Sequence, residues 1–375
     1  MLRKMTESES LLSRTIFSVS PPDKNALAEA EAYQSTLAFP PGSLGGLLAI
    51  GRRLSGITGR LRNALPKKRI VVLCADNGIV EEGVSSAPQS VTARQAVNMT
   101  EGVTGMSALA RHFGNEVEVV DVGIKCGYDC ARIVDKKIRS GTDSFLRGQA
   151  MTRDEAVRAV GVGINLAHKA KSDGVSVVGV GEMGIGNTTT STAVLCVLTG
   201  ASPGEITGRG GCITDKMLAR KKEVIAEGIA LNNPDKSDVI DVLSKVGGLD
   251  IAAMCGVFLG CAESRLPVVI DGYISIVAAL CAARLCPAAS GYFFASHLSE
   301  EAGYKVAMNE LSLVPYLNLG MRLGEGSGCP LAFEIMDAAC AIMNGVATFG
   351  QAGINDSYLD DVRKERVAGG SEKAR

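Results

Sequence analysis

Short apolar runs recur along the chain, and each ends at a polar residue or a glycine. These runs cover residues 69–75, 116–120, 175–180, 266–270 and 292–295. Continuous apolar runs of this length are typical of strands that are buried on both faces, as in a parallel sheet covered by helices. The pattern therefore predicts a strand at each run, with the polar endings gathered at one edge of the sheet.

Segments with helical spacing separate the apolar runs. The sequence TRDE at residues 152–155 is a capping box, and the apolar residues after it repeat with a helical period. Further helices are predicted from near Thr188 to Gly200 and over residues 331–344. The alternation of strands and helices predicts a doubly wound α/β domain, in which ligands bind at the carboxyl ends of the strands.

The composition excludes several classes of partner. Thirty-nine basic and 40 acidic residues leave a net charge of −1, and no basic run is interleaved with aromatic residues, so no nucleic acid partner is predicted. The N-terminus lacks an apolar signal core, and apolar stretches such as residues 274–283 are too short to span a bilayer. We therefore predict a cytoplasmic protein without a membrane partner.

The cysteines and histidines bear on disulfides and metals. Six of the 11 scattered cysteines are predicted to be small buried hydrophobic side chains. These are Cys74, Cys196, Cys255, Cys261, Cys281 and Cys340. Cys126 and Cys130 form C-x-x-x-C without a second pair or a nearby histidine to complete a zinc site. With three histidines and no H-E-x-x-H motif, the sequence predicts no protein-bound catalytic metal.

The stretch GMRLGEGSG at residues 320–328 places Glu325 between glycines, with no cationic neighbour closer than Arg322. Glycine lets the backbone approach a ligand closely, and partial screening from water raises the pKa of a carboxylate towards that of a useful general base. A lone motif of this kind would indicate a solvated surface turn. Here a second glycine loop, GEMGIGNTT at residues 181–189, indicates the phosphate end of the same site.

Residues 179–184 also satisfy G-x-G-x-x-G after a predicted strand, the pattern of dinucleotide-binding domains. We reject that function for two reasons. The acidic residue expected about 20 positions further on would fall in the loop at residues 202–205. In addition, the carboxylate of Glu182 would repel a pyrophosphate.

A single phosphate suits this loop better. Gly184, Gly186 and Asn187 precede the predicted helix start, where exposed backbone N–H groups and the positive helix end favour an anion. The alternative is ordinary N-capping of the helix by Asn187 or Thr188.

A second anion contact is predicted downstream, in the segment GRGG at residues 208–211. Within it, Gly210 and Gly211 are the favoured residues, together with Lys221 downstream. The alternative is that Lys221 is a solvated charge on a helix surface, as most such residues are.

Taken together, these segments resemble the nicotinate-nucleotide:dimethylbenzimidazole phosphoribosyltransferase family, which activates the lower base of cobamides. The resemblance spans nearly the whole chain, and many short motifs occur in the family's order. They include PPGSLG at 40–45, ADNGIV at 75–80, GVS at 83–85, PQSVT at 88–92, GT at 141–142, AMT at 150–152, the 181–189 loop, GRG at 208–210, DG at 271–272, SHLS at 296–299, RLGEGSG at 322–328 and ATF at 347–349.

The resemblance implies a Rossmann-like parallel sheet with flanking helices in a large α/β catalytic domain, residues 41–344. It also implies a small helical domain built from residues 1–40 and 345–375, and a homodimer. The implied reaction moves 5-phosphoribosyl from nicotinate mononucleotide to a benzimidazole-type lower base. Nicotinate is a good leaving group because its ring nitrogen is cationic in the donor, so one carboxylate base suffices and no cofactor is expected.

The resemblance also implies roles for individual residues. Glu325 would be the catalytic base, and Ser85 and Gln89 would face the acceptor base. The residues implied around the nicotinate nucleotide are Glu182, Gly184, Gly210, Gly211, Lys221, Asp271, Ser299, Leu323 and Gly324.

Three positions depart from the family pattern. Asn77 stands where the family usually has histidine, Phe39 where it has lysine, and Tyr304 where it has the histidine of a Pro-Gly-His segment. The identity of the acceptor therefore stays open among dimethylbenzimidazole, another benzimidazole, a purine and a phenol. Two alternatives to the homodimeric transferase are a subunit of a heteromeric enzyme acting on phenols and a non-catalytic nucleotide-binding protein.

Overall fold

One sheet of parallel strands forms the centre of the fold. In the computed structural model, which describes residues 5–362, the strands are β1 (Lys68–Ala75), β2 (Glu116–Gly123), β3 (Val134–Asp135), β4 (Val177–Met183), β5 (Val268–Ile270) and β6 (Phe293–Ala295). Their order is β3-β2-β1-β4-β5-β6, and every pairing is parallel. This is the doubly wound Rossmann-like order, which reverses between β1 and β4.

Helices connect the strands. They are α1 (Glu7–Ser18), α2 (Lys24–Thr36), α3 (Gly46–Thr58), α4 (Ser90–Glu101), α5 (Gly105–His112), α6 (Arg153–Ser172), α7 (Asn187–Thr199), α8 (Pro203–Ile206), α9 (Asp215–Asn232), α10 (Val239–Val246), α11 (Leu249–Glu263), α12 (Tyr273–Leu285), α13 (Tyr304–Glu310) and α14 (Cys329–Gly345). Of the described helices, none is long and apolar enough to cross a membrane.

The elements predicted from the sequence are confirmed. Each of the five apolar runs contains a strand, and the capping box at Thr152 opens α6, with the threonine hydroxyl accepting a hydrogen bond from the N–H of Glu155. Gly200 ends α7 in a left-handed conformation. The two-residue strand β3 was not predicted, because so short a segment at the sheet edge carries no periodic signal.

All six cysteines predicted to be buried are free and buried, and Cys126 and Cys130 are partly exposed. Burial raises the pKa of the Cys74 and Cys255 thiols well above the ordinary value. These side chains therefore act as small core residues, as predicted.

The described chain divides into two compact units. One comprises the residues up to Pro21 together with Leu65–Glu334, and it contains the whole sheet. The other comprises Pro22–Ala64 and the described residues from Ile335 onward. In the second unit Leu37 pairs with Thr348 in a β-bridge.

These units divide the chain at other points than the predicted domains, 1–40 with 345–375 and 41–344. The first helix belongs to the sheet unit, because the hydroxyl of Thr15 on α1 donates to Glu263 on α11 at 2.8 Å. Helix α3, which lies after residue 41, belongs to the smaller unit. Residues 363–375 lie outside the described chain.

Helices α6 and α11 approach each other so closely that two backbone positions exclude a side chain. A Cβ atom at Gly163 would lie 1.9 Å from the carbonyl oxygen of Ala253, and one at Gly256 would lie 1.9 Å from that of Val160. The glycines thus allow α11, which is buried along almost its whole length, to pack directly on α6.

We expect Gly256→Ala to lower the free energy of unfolding, because the added methyl group must push the Val160 backbone away. Overpacking of this kind costs about 1–3 kcal/mol. The matched control is Gly161→Ala on α6, where the nearest atom to the new Cβ would be the Ser8 hydroxyl at 3.6 Å. That change should be neutral or stabilising by up to about 1 kcal/mol, from helix propensity. Denaturant unfolding of both variants measures the difference, and a Gly256→Ala protein as stable as the control would contradict the packing.

Candidate active site

A cavity of about 490 Å³ opens beside the end of β4, at the carboxyl edge of the sheet. Most of the predicted site residues line it. They are Ser85, Glu182, Gly184, Gly186, Asn187, Thr188, Gly210, Gly211, Ser299, Leu323, Gly324 and Glu325. Gln89, Lys221 and Asp271 lie outside its described lining. The structure thus brings both glycine loops of the sequence to one cavity.

The backbone that carries Glu325 adopts three consecutive left-handed conformations. The φ angles are 79° at Gly324, 64° at Glu325 and 87° at Gly326. Glycine adopts this region without cost, but a residue with a Cβ atom does so at a cost of about 1–2 kcal/mol. Such strain persists only where the surroundings fix the backbone, and it is concentrated at functional sites.

Two buried carboxylates fix this backbone. Asp271, directly after β5, accepts hydrogen bonds from the N–H groups of Gly326 (2.9 Å) and Gly328 (2.7 Å). Glu182, in β4, accepts from the N–H of Glu325 at 3.2 Å. Both acids were predicted to surround the nucleotide. In the structure they hold the loop that presents Glu325, and only Glu182 also lines the cavity.

The glycines of the G-x-G-x-x-G segment make room for this loop. A Cβ atom at Gly181 would lie 2.6 Å from the carbonyl oxygen of Glu325, and one at Gly179 would lie 2.6 Å from Cβ of Cys329. The loop and the start of α14 therefore pass directly over β4. This packing explains why the G-x-G-x-x-G motif needs its glycines, and no bound dinucleotide is required to account for them.

The carboxylate of Glu325 is buried and only half satisfied. Its Oε1 accepts a hydrogen bond from Nε2 of Gln95 at 2.8 Å. Its Oε2 is buried and has no hydrogen-bond partner within residues 5–362. Burial raises the pKa of Glu325, while the hydrogen bond from Gln95 opposes the rise. One oxygen is thus held in place by Gln95, and the other has no donor in the described chain.

Gln95 was not predicted, because a lone glutamine on a helix looks like a surface residue. The structure places it on α4, whose position is fixed by Thr92. The Thr92 hydroxyl donates to Asp76 at 2.7 Å and accepts from the N–H of Ile185 at 3.1 Å. These bonds tie α4 to the ends of β1 and β4, so that Gln95 is held against Glu325.

Acidic groups accumulate beneath the cavity. Burial, reinforced by the charge of Asp250, raises the pKa of Glu182 to about 8. Burial raises the pKa of Asp271 to about 7 and that of Asp250 to about 6. The side-chain amide of Asn187 donates to the second oxygen of Glu182. These acids are therefore favoured in their neutral form, or in their charged form when a cationic ligand lies above them.

The start of α7 has no side-chain cap. Its N-cap residue is Gly186, and the amide of Asn187 points to Glu182 instead of the helix N–H groups. The hydroxyl of Thr188 accepts a hydrogen bond from Nζ of Lys221 at 2.8 Å. The alternative of N-capping by Asn187 or Thr188 is therefore wrong, and the positive helix end faces the cavity without an internal acceptor side chain.

Lys221 lies behind the loop at residues 208–211. It is 1% exposed, and Nζ also donates to the carbonyl of Gly208 at 3.2 Å. Burial lowers the pKa of Lys221 to about 8, and the charge of Glu301 partly offsets this. Lys221 is neither a solvated surface charge nor a described part of the cavity wall; it supports the loop from behind.

Two arginines line the cavity. Arg209 donates to the carbonyl of Ile213 at 3.0 Å and to the carboxylate of Asp215. Arg322 is exposed at the cavity, three residues before Glu325. Both arginines thus belong to the described cavity lining, whereas Lys221 does not.

None of the three residues that depart from the family pattern is in the described cavity lining. Asn77 is fully buried, its side-chain oxygen accepts from the hydroxyl of Thr190 at 3.3 Å, and its backbone oxygen accepts from Nε2 of Gln89 at 3.3 Å. Tyr304 is fully buried on α13, and Phe39 lies in the smaller unit. Asn77 thus supports the segment that carries Gln89.

The described residues contain no cluster of three or more histidine, cysteine or acidic side chains that would hold a metal ion.

Known proteins match the chain along nearly its whole length. A family model described as "Phosphoribosyltransferase" matches residues 19–354. The nicotinate-nucleotide–dimethylbenzimidazole phosphoribosyltransferase of Clostridium perfringens is 46% identical over 355 residues, which are 95% of this chain and 98% of the relative. The enzyme of the same name from Ruminiclostridium cellulolyticum is 50% identical over 328 residues, 88% of this chain and 93% of the relative.

A solved structure has the same fold. The crystal structure of nicotinate-nucleotide–dimethylbenzimidazole phosphoribosyltransferase from Thermus thermophilus matches with a TM-score of 0.84 and 35% identity, covering 89% of this chain and 100% of that chain. The resemblance predicted from the short motifs is confirmed. The chain belongs to the nicotinate-nucleotide–dimethylbenzimidazole phosphoribosyltransferase family.

Proposed function

We propose that this enzyme transfers the 5-phosphoribosyl group of nicotinate mononucleotide to 5,6-dimethylbenzimidazole or a similar lower base, with Glu325 as the general base. The products are the α-riboside 5′-phosphate, for assembly of the cobamide nucleotide loop, and nicotinate. The observation that supports the role of Glu325 is its buried Oε2, which lacks a partner in the described chain and belongs to a residue lining the cavity.

The reaction requires one proton acceptor. The bond between C1′ and the pyridinium nitrogen breaks with both electrons going to the nicotinate ring, which loses its positive charge. One nitrogen of the acceptor azole forms the new bond to C1′ from the opposite face, and the proton on its other nitrogen passes to Oε2 of Glu325. The raised pKa of Glu325 makes it a better proton acceptor than an ordinary glutamate.

The donor's charges suit the two sides of the cavity. Its phosphate is proposed to bind at the uncapped start of α7, among Gly184, Gly186 and Gly211, with Arg322 as a cationic neighbour. Its pyridinium ring is then directed towards the acidic floor at Glu182. This orientation places opposite charges together at both ends of the donor.

The acceptor is proposed to lie between Glu325 and the loop that contains Ser85. Leu323, whose side chain is 56% exposed, offers an apolar surface at this end of the cavity. A flat aromatic base covers such a surface well. Gln89 contributes by holding Asn77, and its described contacts do not reach the cavity wall.

We propose a homodimer as the working form, as the family resemblance implies. The alternatives are a subunit of a heteromeric enzyme that acts on phenols and a non-catalytic nucleotide-binding protein. A chain that forms the α-riboside phosphate by itself, and prefers a benzimidazole to a phenol in a mixture of acceptors, excludes both alternatives. Mass spectrometry of the mixed-acceptor reaction measures this preference directly.

We expect Glu325→Gln to lose most of its turnover and to keep nucleotide binding. The change is nearly isosteric and preserves an oxygen for Gln95, but it removes the proton acceptor, which typically costs about 10²–10⁴-fold in rate. Product formation from nicotinate mononucleotide and dimethylbenzimidazole measures turnover, and calorimetry measures donor binding. Turnover close to that of the unmodified enzyme would show that another group accepts the proton.

We expect the buried acid at residue 182 to make the fold less stable at higher pH. The folded-state pKa of Glu182 is about 8 and the ordinary value is 4.5, so the folded protein holds an extra proton between these values. This contribution is fully present below pH 4.5 and is lost as the pH rises towards 8. Glu182→Gln should therefore flatten the decline of the free energy of unfolding over this range.

The control for this titration is Glu227→Gln, because Glu227 is an exposed acid on α9. It should leave the pH dependence of unfolding unchanged. Some decline will remain in Glu182→Gln, since the pKa values of Asp271 and Asp250 are raised as well. Parallel curves for the unmodified protein and Glu182→Gln would mean that Glu182 is charged in the folded protein at neutral pH.

A further inference from the structure

Glu301 is an acid in the cavity wall for which neither the sequence motifs nor the proposed mechanism provides a role. Its side chain is 8% exposed and lines the cavity. Oε1 accepts a hydrogen bond from the N–H of Gly210 at 3.1 Å. Oε2 is buried and has no hydrogen-bond partner among residues 5–362. A buried carboxylate oxygen without a partner is unfavourable, unless a ligand supplies the missing donor.

The position of Glu301 is fixed from several sides. A Cβ atom at Gly208 would lie 1.9 Å from Oε2, so the carboxylate occupies the space where a side chain at residue 208 would be. The buried charge of Lys221, which binds the carbonyl of Gly208, attracts the carboxylate. Glu301 is therefore held in place in the cavity wall, with Oε2 packed against Gly208.

Glu301 also lies next to the start of α7. A Cβ atom at Gly210 would lie 2.7 Å from the hydroxyl of Thr188, while the N–H of the same glycine binds Glu301. Gly210 thus separates the carboxylate from the first turn of the helix. This N–H is bound to Glu301, and the predicted anion contact at Gly210 stays a prediction.

The chemistry of the donor identifies what Glu301 binds. A carboxylate oxygen accepts hydrogen bonds and repels anions, so neither the phosphate nor the carboxylate of nicotinate mononucleotide will bind there. The pyridinium nitrogen is bonded to C1′ of the ribose and therefore has no N–H group. The only hydrogen-bond donors of the molecule are therefore the 2′ and 3′ hydroxyl groups of its ribose.

We propose that Glu301 binds the ribose hydroxyls of the donor and makes the enzyme selective for ribosyl over deoxyribosyl nucleotides. This inference rests on the proposed function, because it takes nicotinate mononucleotide as the donor. Oε1 holds the loop at Gly210 and Oε2 accepts from the sugar. The carboxylate also repels the phosphate, which directs that group to the start of α7 on the other side of Gly210.

The test compares nicotinate mononucleotide with its 2′-deoxy and 3′-deoxy analogues as donors for the unmodified enzyme and for Glu301→Gln. A hydrogen bond to a charged group contributes enough that losing it lowers kcat/KM by about 10- to 100-fold. The unmodified enzyme should show this loss with at least one deoxy donor. Glu301→Gln should lose about as much with the ribosyl donor and show little further loss with the deoxy donors.

The matched control is Glu300→Gln, because Glu300 is the exposed neighbour of Glu301. It should keep the kcat/KM values and the donor preference of the unmodified enzyme. Glu301→Asp, which keeps the charge but shortens the side chain, provides a second variant that should also weaken the preference. If Glu301→Gln slows the ribosyl and both deoxy donors by the same factor, Glu301 only supports the loop and the inference is overturned.

The proposed transferase reaction and the contact between Glu301 and the ribose are disproved by different results. If the unmodified enzyme forms no α-riboside phosphate, the proposed function fails, and calorimetry then tests Glu301 without turnover. Tighter binding of nicotinate mononucleotide than of a deoxy analogue, lost in Glu301→Gln, supports the sugar contact. Equal binding of the ribosyl and both deoxy nucleotides by the unmodified protein overturns it.

Discussion

Two carboxylates at the ends of β4 and β5 replace water as hydrogen-bond acceptors for a strained turn. Asp271 binds the N–H groups of Gly326 and Gly328, and Glu182 binds that of Glu325. Without these acceptors the left-handed conformation of Glu325 would relax, and buried N–H groups would be left unpaired. The position of Glu325, the proposed general base, therefore depends on two acids at the ends of neighbouring strands. The rigid sheet thus fixes the position of the Glu325 carboxylate through these two acids.

The sequence predicted the scaffold well because strands buried on both faces leave a continuous apolar pattern. It also indicated the two glycine loops, since closely spaced glycines have few other uses. The partners of those loops were not predictable. Gln95 and Glu301 come from distant segments, and a single polar residue carries no sign of which cavity it will face. Lys221 was predicted to contact the anion from its charge alone, and nothing in the sequence indicated that its buried amino group donates to Thr188 and Gly208.

The electrostatics of the cavity explain how one site accepts a ligand with charges of both signs. Acids with raised pKa values lie beneath it, while the start of α7 and Arg322 provide the positive side. Burial raises the pKa values of Glu182 and Asp271, so a cation placed near them would favour their charged forms. In the proposed orientation, the pyridinium ring of the donor would supply such a cation, and this attraction would end when the ring loses its charge in the reaction.

The left-handed turn at residues 324–326 also sets a limit on how this site can diverge or be redesigned. Side chains there cannot be exchanged freely, because every non-glycine residue in the turn adds conformational strain and Gly326 packs on Ile70 and Gly181. Residue changes are therefore better tolerated elsewhere in the cavity wall, while the turn itself acts as a fixed reference point.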